Sequence, residues 1–370
     1  MSKCYICENE ITKDNETAEH ILLNAIGGTL KPKTLICKKC NSTLGEDIDA
    51  ELANQLNYLC NMLNIERDRK KVPSLDVELE SGQKILLKPG GKPVMKIPQK
   101  KESIKDNGKI KISIKAPDKE SAKKVVQGLK RKYKEIDVDS ILANCEKEKR
   151  YLNETCKIPI AVGGEKALRS ICKTAINFYM LKGGSRKNIE NLIPYIQGNK
   201  GSKCVQYYYK SIDIIEKTEN EVLHSIIIKG KKDEKLLLAY VELFNCYRFV
   251  ILLNDNYNGE NIDLSYYFNV LTREEVKRFN NFDMSKNEVI ELIEYSNIPT
   301  NELINEIDKV LKIASEKQES ELIRGFGEKA INNSLSKYPK DILITEKMFS
   351  ELVDEYMKEV IPWLANKLKK

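Results

Sequence analysis

Cys4-Tyr-Ile-Cys7 and Cys37-Lys-Lys-Cys40 are two CxxC pairs with 29 residues between them. Two residues between thiolates let both sulfurs of a knuckle face one ion, and two knuckles complete the tetrahedral Cys4 shell that Zn2+ adopts in structural sites. Such a shell has no position for water, so the ion holds the fold, and its binding free energy is part of the folding free energy. The chain has ten cysteines. Without an export signal they are expected to be reduced, which favours a metal over a disulfide. Cys60, Cys145, Cys156, Cys172, Cys204 and Cys246 lack knuckle spacing and read as buried or free thiols.

Between the knuckles stand Glu19-His20-Ile21-Leu22, Asn24 and the turn Ile26-Gly27-Gly28, and directly after them comes Cys40-Asn41-Ser42-Thr43-Leu44-Gly45. His20 is one of only two histidines in the chain. An imidazole beside a carboxylate inside a zinc-stapled loop invites a catalytic reading. In this order the residues from 4 to about 50 resemble the HNH endonucleases, in the subgroup that reads CxxC, an acid-His-Ile, a Gly-Gly turn and CxxC followed by His or Asn. The resemblance implies a ββα-metal fold in which His20 is the general base that deprotonates the attacking water. It gives Glu19 and Asn41 the part of ligands to a catalytic divalent cation. One carboxylate, one amide, phosphate oxygens and waters suit Mg2+ or Mn2+ better than a second zinc. Phosphodiester hydrolysis needs a deprotonated water on one side and charge neutralisation on the other, and one base with one metal supplies both. The sequence departs from the family at Pro32, where many relatives carry an Asn that orients the histidine. Thr34, Asn24 and the backbone remain open for that part. Asp47 and Asp49 read as charges complementing a helix start.

The elements that must position these groups follow from periodicity. A helix opening near Asn41 places Leu52, Leu56, Leu59 and Leu63 on one face, and Pro73-Ser74 reads as a linker. LDVELE, QKILLKP and KIKISIK alternate as strands do. Asp118 caps a helix with Val125, Val126 and Leu129 on its apolar face. A second helix carries Leu168, Ile171, Cys172, Ala175, Ile176 and Tyr179 as an apolar stripe, with Gly183 as its stop. HSIIIKG, KLLLAYVELF and YRFVILLN predict an antiparallel sheet against that helix, and from Leu271 the pattern becomes helical. The expected fold class is α+β: an N-terminal ββα-metal (HNH) zinc module, then a mixed α/β region and a helical C-terminal part. The expected boundaries are 1–72 for the nuclease module, 73–270 for a recognition or sensor region and 271–370 for the helical region.

The chain has 370 residues, 41% hydrophobic and 32% charged, with 18 Gly and 11 Pro. That excludes disordered and fibrous classes. Its net charge is +7, yet residues 92–134 alone hold 15 Lys/Arg against 4 Asp/Glu. Clustered positive charge suits a polyanion, because each neutralised phosphate releases counterions; a solvated lysine-rich surface is the plainer alternative. No membrane-length apolar run and no secretory pattern occur, so a cytoplasmic protein is expected. Neither GxxxxGK[ST] nor GxGxxG occurs, which argues against a nucleotide-hydrolysing motor. His224 reads as structural, and Tyr207-Tyr208-Tyr209 as strand alternation rather than a stacking platform. The expected function is a metal-dependent HNH endonuclease acting on double-stranded DNA, and its pairing with a long variable region resembles bacterial restriction and phage-defence proteins. A homodimer, a partner protein and an activating ligand all stay open. The rivals are a non-catalytic zinc-ribbon module that only binds nucleic acid, and an RNA-directed nuclease of the same chemistry.

Overall fold

The computed structural model describes residues 2–68, 71–104, 110–146, 151–199, 203–210, 212–295, 297–339 and 342–368. It is an α+β protein with two compact units, one of residues 1–73 with 160–315, the other of 74–159 with 316–370.

The first unit opens with the zinc-knuckle segment. Glu19 N–H donates to the Pro32 carbonyl and Ile21 N–H to the Leu30 carbonyl, at 2.9 Å each. This is a short antiparallel pairing that Pro32 leaves one-sided, having no N–H to return. Between the two arms lies the Gly-Gly turn. Gly27 has φ +98°, and a Cβ on Gly28 would lie 1.9 Å from the Leu22 carbonyl oxygen, so the turn tolerates no side chain there. The chain then enters α1 (Lys38–Leu44), which begins at the second knuckle, three residues before Asn41. A π-helical turn, Gly45–Asp49, leads into α2 (Ala50–Gln55) and α3 (Asn57–Met62). The expected stripe Leu52, Leu56, Leu59 and Leu63 is buried.

The second unit holds β1 (Leu75–Leu79), β2 (Lys84–Lys88), β3 (Lys92–Met95), β4 (Gln99–Ile104) and β5 (Ile110–Lys115). They are followed by α4 (Lys119–Lys132), α5 (Val138–Ala143) and β6 (Cys156–Lys157). One sheet runs β3-β2-β1-β6, and β4 with β5 forms a separate two-stranded ribbon. Asp118 accepts from Ser121 N–H at 2.7 Å and caps α4, whose Ala122, Val126 and Leu129 are buried.

The first unit resumes with α6 (Gly164–Leu181), ended at Gly183 with φ +86°, and α7 (Ile193–Ile196). Strands β7 (Val205–Tyr207), β8 (Leu223–Lys231), β9 (Leu236–Leu243), β10 (Tyr247–Asn254), β11 (Ile262–Asn269) and β12 (Glu274–Val276) make a sheet in the order β12-β11-β8-β9-β10-β7. All its pairings are antiparallel. Strand β12 falls where a helical pattern was expected from Leu271. Its Glu-Glu-Val is too short to show a period, and pairing with β11 decides its conformation. Helix α6 packs on β8, β9 and β10, and one face of the sheet closes over Tyr240, Tyr267, Phe282, Val289 and their neighbours. Helices α8 (Lys286–Tyr295), α9 (Thr300–Ser334) and α10 (Glu346–Lys367) complete the described chain. No described helix is long and apolar enough to cross a membrane.

His224 ties the sheet to the knuckle segment. Its Nδ1 accepts the Phe244 N–H at 3.1 Å, so Nε2 carries the proton and donates to the Ile26 carbonyl at 3.0 Å. Burial pushes this imidazole down to about 4 from an ordinary 6.5. Because the unfolded chain binds the proton first, His224 contributes its full stability above about pH 6.5 and loses it as pH falls toward 4, about 3 kcal/mol in all. Urea unfolding between pH 7 and 4 is expected to show a shallower acid loss in His224→Gln than in the wild type. Parallel curves would refute the assignment.

Candidate functional site

The four knuckle sulfurs lie within 4.8 Å of one another, and Cys7 Sγ is 3.8 Å from Cys37 Sγ. A tetrahedron of Zn–S bonds of about 2.3 Å has an edge of about 3.8 Å, so the cluster fits zinc in size as well as in donor type. It is the only such cluster among the described residues. Backbone bonds pre-form it: Cys4 N–H donates to Asn9, Tyr5 N–H to Leu35 and Glu8 N–H to Cys4, the last at a left-handed φ of +62°. The other described cysteines carry no disulfide; Cys60, Cys172, Cys204 and Cys246 are buried, as expected from their lack of knuckle spacing.

The structure gives the three residues that the resemblance groups together different partners. Side chains alternate along an extended arm. Glu19 turns into the interior, where Lys173 Nζ lies 2.6 Å from its Oε1 and Asn177 Nδ2 donates to the same oxygen at 2.8 Å. Asn41 lies in α1 and donates to Thr17 Oγ1 at 3.1 Å. His20 takes the other face of the arm. The pairing of 19 with 32 and of 21 with 30 sets it opposite Lys31. Its Nε2 is 3.8 Å from Asp68 Oδ2, and its side chain is 24% exposed. The Glu19 carboxylate is thus committed to an ammonium and an amide, while the Asn41 bond to Thr17 uses its Nδ2 and not the oxygen that would ligate a cation.

Around Glu19 a face of α6 grips the knuckle helix. Lys173 Nζ also lies 2.6 Å from Asp49 Oδ2, Ser170 Oγ donates to Asp49 Oδ1 at 2.7 Å, and Tyr5 OH donates to Asn177 Oδ1 at 2.6 Å. Lys166 and Arg169 hold Asp47 at 2.6 and 3.4 Å. Asp47 and Asp49 are thus docking residues, not helix caps; they sit in the π-helical turn rather than at a free helix start. Burial pushes the Glu19 carboxyl up against the pull of Lys173. Burial alone would depress Lys173, but Asp49 and Glu19 outweigh it and hold its ammonium charged. Lys173→Met leaves two carboxylates in the interior without their cation. The expected cost is about 3–5 kcal/mol of stability, read by urea unfolding, and part of it should return in Lys173→Met/Glu19→Gln. A loss below about 1 kcal/mol would mean that Glu19 has solvent or another cation to turn to.

The His20 face gathers partners that the sequence did not announce. Lys31 and Arg273 both bind Asp68, the latter through Nη2 at 2.9 Å, and Arg273 Nη1 reaches Glu66 Oε2 at 3.2 Å. Lys31 first, then Arg273 and His20, hold the Asp68 carboxyl below its usual range. Arg273 comes from the turn between β11 and β12 with a left-handed φ of +62°. No motif marked it. A non-glycine residue in that conformation at a turn is visible only in the structure.

No curated protein and no solved structure matches the chain. Residues 4–57, which hold both knuckles, the Glu19-His20 arm, the Gly-Gly turn and the helix that follows, match the family model described as HNH endonuclease.

Proposed function

We propose that the protein hydrolyses phosphodiester bonds in double-stranded DNA, with His20 as general base, in restriction or phage defence. The observation that carries this is His20 itself. Within the HNH-like segment it stands half-buried beside one carboxylate, Asp68, which the two cations Lys31 and Arg273 also bind. With Nε2 toward Asp68, the opposite nitrogen, Nδ1, is the one proposed to take the proton of the attacking water. Lys31 and Arg273 carry more N–H donors than Asp68 and Glu66 take up, and these are suited to a phosphate. Asp68, kept charged by the same cations, favours the imidazolium that forms. Glu19, held by Lys173 and Asn177, does not fit the part of ligand to Mg2+ or Mn2+ that the resemblance gives it. One such site cuts one strand, so a double-strand break requires a homodimer or two successive nicks.

The test is a cleavage assay of the full, zinc-loaded chain on supercoiled plasmid, single-stranded DNA and RNA, each with Mg2+, with Mn2+ and with neither added. Nicking of the plasmid supports the proposal. Binding without cleavage in every arm supports a non-catalytic zinc-ribbon module, and preferential RNA cleavage an RNA-directed nuclease. The metal arms report separately on the cation that the family resemblance implies.

A further inference from the structure

The lysine-rich stretch 92–134 is not one charged surface, and the ladder of β4 with β5 sorts it. Gln99 faces Lys115, Lys101 faces Ser113 and Ser103 faces Lys111, while the alternate pairs are Lys100–Ile114, Glu102–Ile112 and Ile104–Ile110. Residues directly opposite share a side of the ribbon. One side therefore presents only Gln99, Lys101, Ser103, Lys111, Ser113 and Lys115. The other side takes every isoleucine and the one described acid. Residues 105–109, which join the strands, lie outside the described residues.

Helix α4 settles which side is covered. Its Lys132 lies 3.8 Å from Glu102, and Lys100 pairs with the same carboxylate at 2.7 Å. Ile112 and Ile114 on that side are half-buried, while Ile104 and Ile110 at the far end of the ribbon stay exposed, as do all six residues of the polar side. Lys101, Lys111 and Lys115 make no ion pair among the described residues. On the reverse side Lys100 pairs with Glu102, and on α4 Lys124 and Lys132 have acidic neighbours while Lys119, Lys123 and Lys130 have none among the described residues. What sets the ribbon apart is the segregation: one side carries three unpaired cations with only Gln and Ser between them, and the carboxylate lies on the reverse, which suits an anionic partner.

We propose that this side of the β4–β5 ribbon binds double-stranded DNA in the major groove. Lys101, Lys111 and Lys115 contact phosphates, and Gln99, Ser103 and Ser113 face the base edges. A major groove about 12 Å wide admits a two-stranded ribbon. The major groove of an RNA duplex is too deep and narrow to take one. The inference rests on the reading of the protein as a DNA-acting enzyme, but it is tested by binding alone.

The experiment uses full-length, zinc-loaded His20→Ala protein with no added Mg2+ or Mn2+, and measures anisotropy of a labelled 30-base-pair DNA duplex and of the matching RNA duplex across a salt series. The probed variant adds Lys101→Gln, Lys111→Gln and Lys115→Gln. The control adds Lys329→Gln, Lys337→Gln and Lys358→Gln, three exposed lysines of the same unit that are already paired with Glu359, Glu351 and Glu355. Thermal melts confirm that both fold. Three lost phosphate contacts are expected to reduce the slope of log affinity against log salt by about 3 in the ribbon variant and leave the control unchanged. Equal slopes in all proteins, an equal fall in both variants, or RNA bound as tightly as DNA would overturn the proposal. Ribbon-dependent DNA binding without plasmid nicking by the wild type would leave the ribbon standing and remove the nuclease reading. Nicking with an unchanged ribbon slope would do the reverse.

Discussion

Stripping the knuckle ion, or replacing Cys37 by Ser, is expected to unfold the N-terminal module and abolish any cleavage with it. The reason is the small size of the module's own support. The arms around His20 share two backbone hydrogen bonds, and Pro32 returns none. The knuckles hold those arms against α1, and in small zinc modules the apparent metal-binding free energy is about 10–16 kcal/mol, enough to decide between folded and unfolded. Damage should spread beyond residue 57. The Ile26 carbonyl is the partner of His224, and Tyr58 OH shares a 2.7 Å hydrogen bond with Tyr247 OH on β10. The check is one equivalent of zinc by elemental analysis, followed by hydrogen exchange before and after chelation. Protection should collapse first in residues 2–68 and then in β8 and β10. Cys145→Ser, at an exposed cysteine outside the cluster, should change neither. Retained protection after complete zinc loss would show that the four thiolates are not a structural site.

His20→Ala is expected to lower the cleavage rate by about 10²–10⁴, the usual worth of a positioned general base, with DNA affinity close to wild type. The split matters more than the size. A base that acts only on the attacking water affects kcat, whereas a residue that merely holds the module together affects binding and stability too. His20 is well placed for that separation. It is half-exposed on the outer face of its arm, and its removal leaves the zinc cluster, the Glu19–Lys173 pair and the α6 contacts in place. The measurement is single-turnover cleavage beside equilibrium binding and a thermal melt. Full activity in the variant would end the assignment of His20, while loss of binding and folding in parallel would make it structural.

The sequence by itself determined what lies close along the chain. The two CxxC knuckles, the tight Gly27-Gly28 turn, the leucine stripe of the following helix, the Asp118 cap and the alternation of the strands were all readable, because each depends on residues within a few turns of one another. The α+β class and the HNH character of residues 4–57 came from the same local patterns. Only the tertiary structure decided which face of its arm each residue of the Glu19-His20 pair would use. Adjacent residues of an extended chain point apart, and the choice of the inner face belongs to Lys173 and to Asn177, 158 residues downstream of Glu19. The same holds for Arg273, brought to Asp68 across 205 residues, and for Asp47 and Asp49, whose charges serve α6. Buried charges require partners. Those partners were set by the packing of α6 and the β11–β12 turn against the knuckle segment, for which no local spacing in the sequence carries a signal.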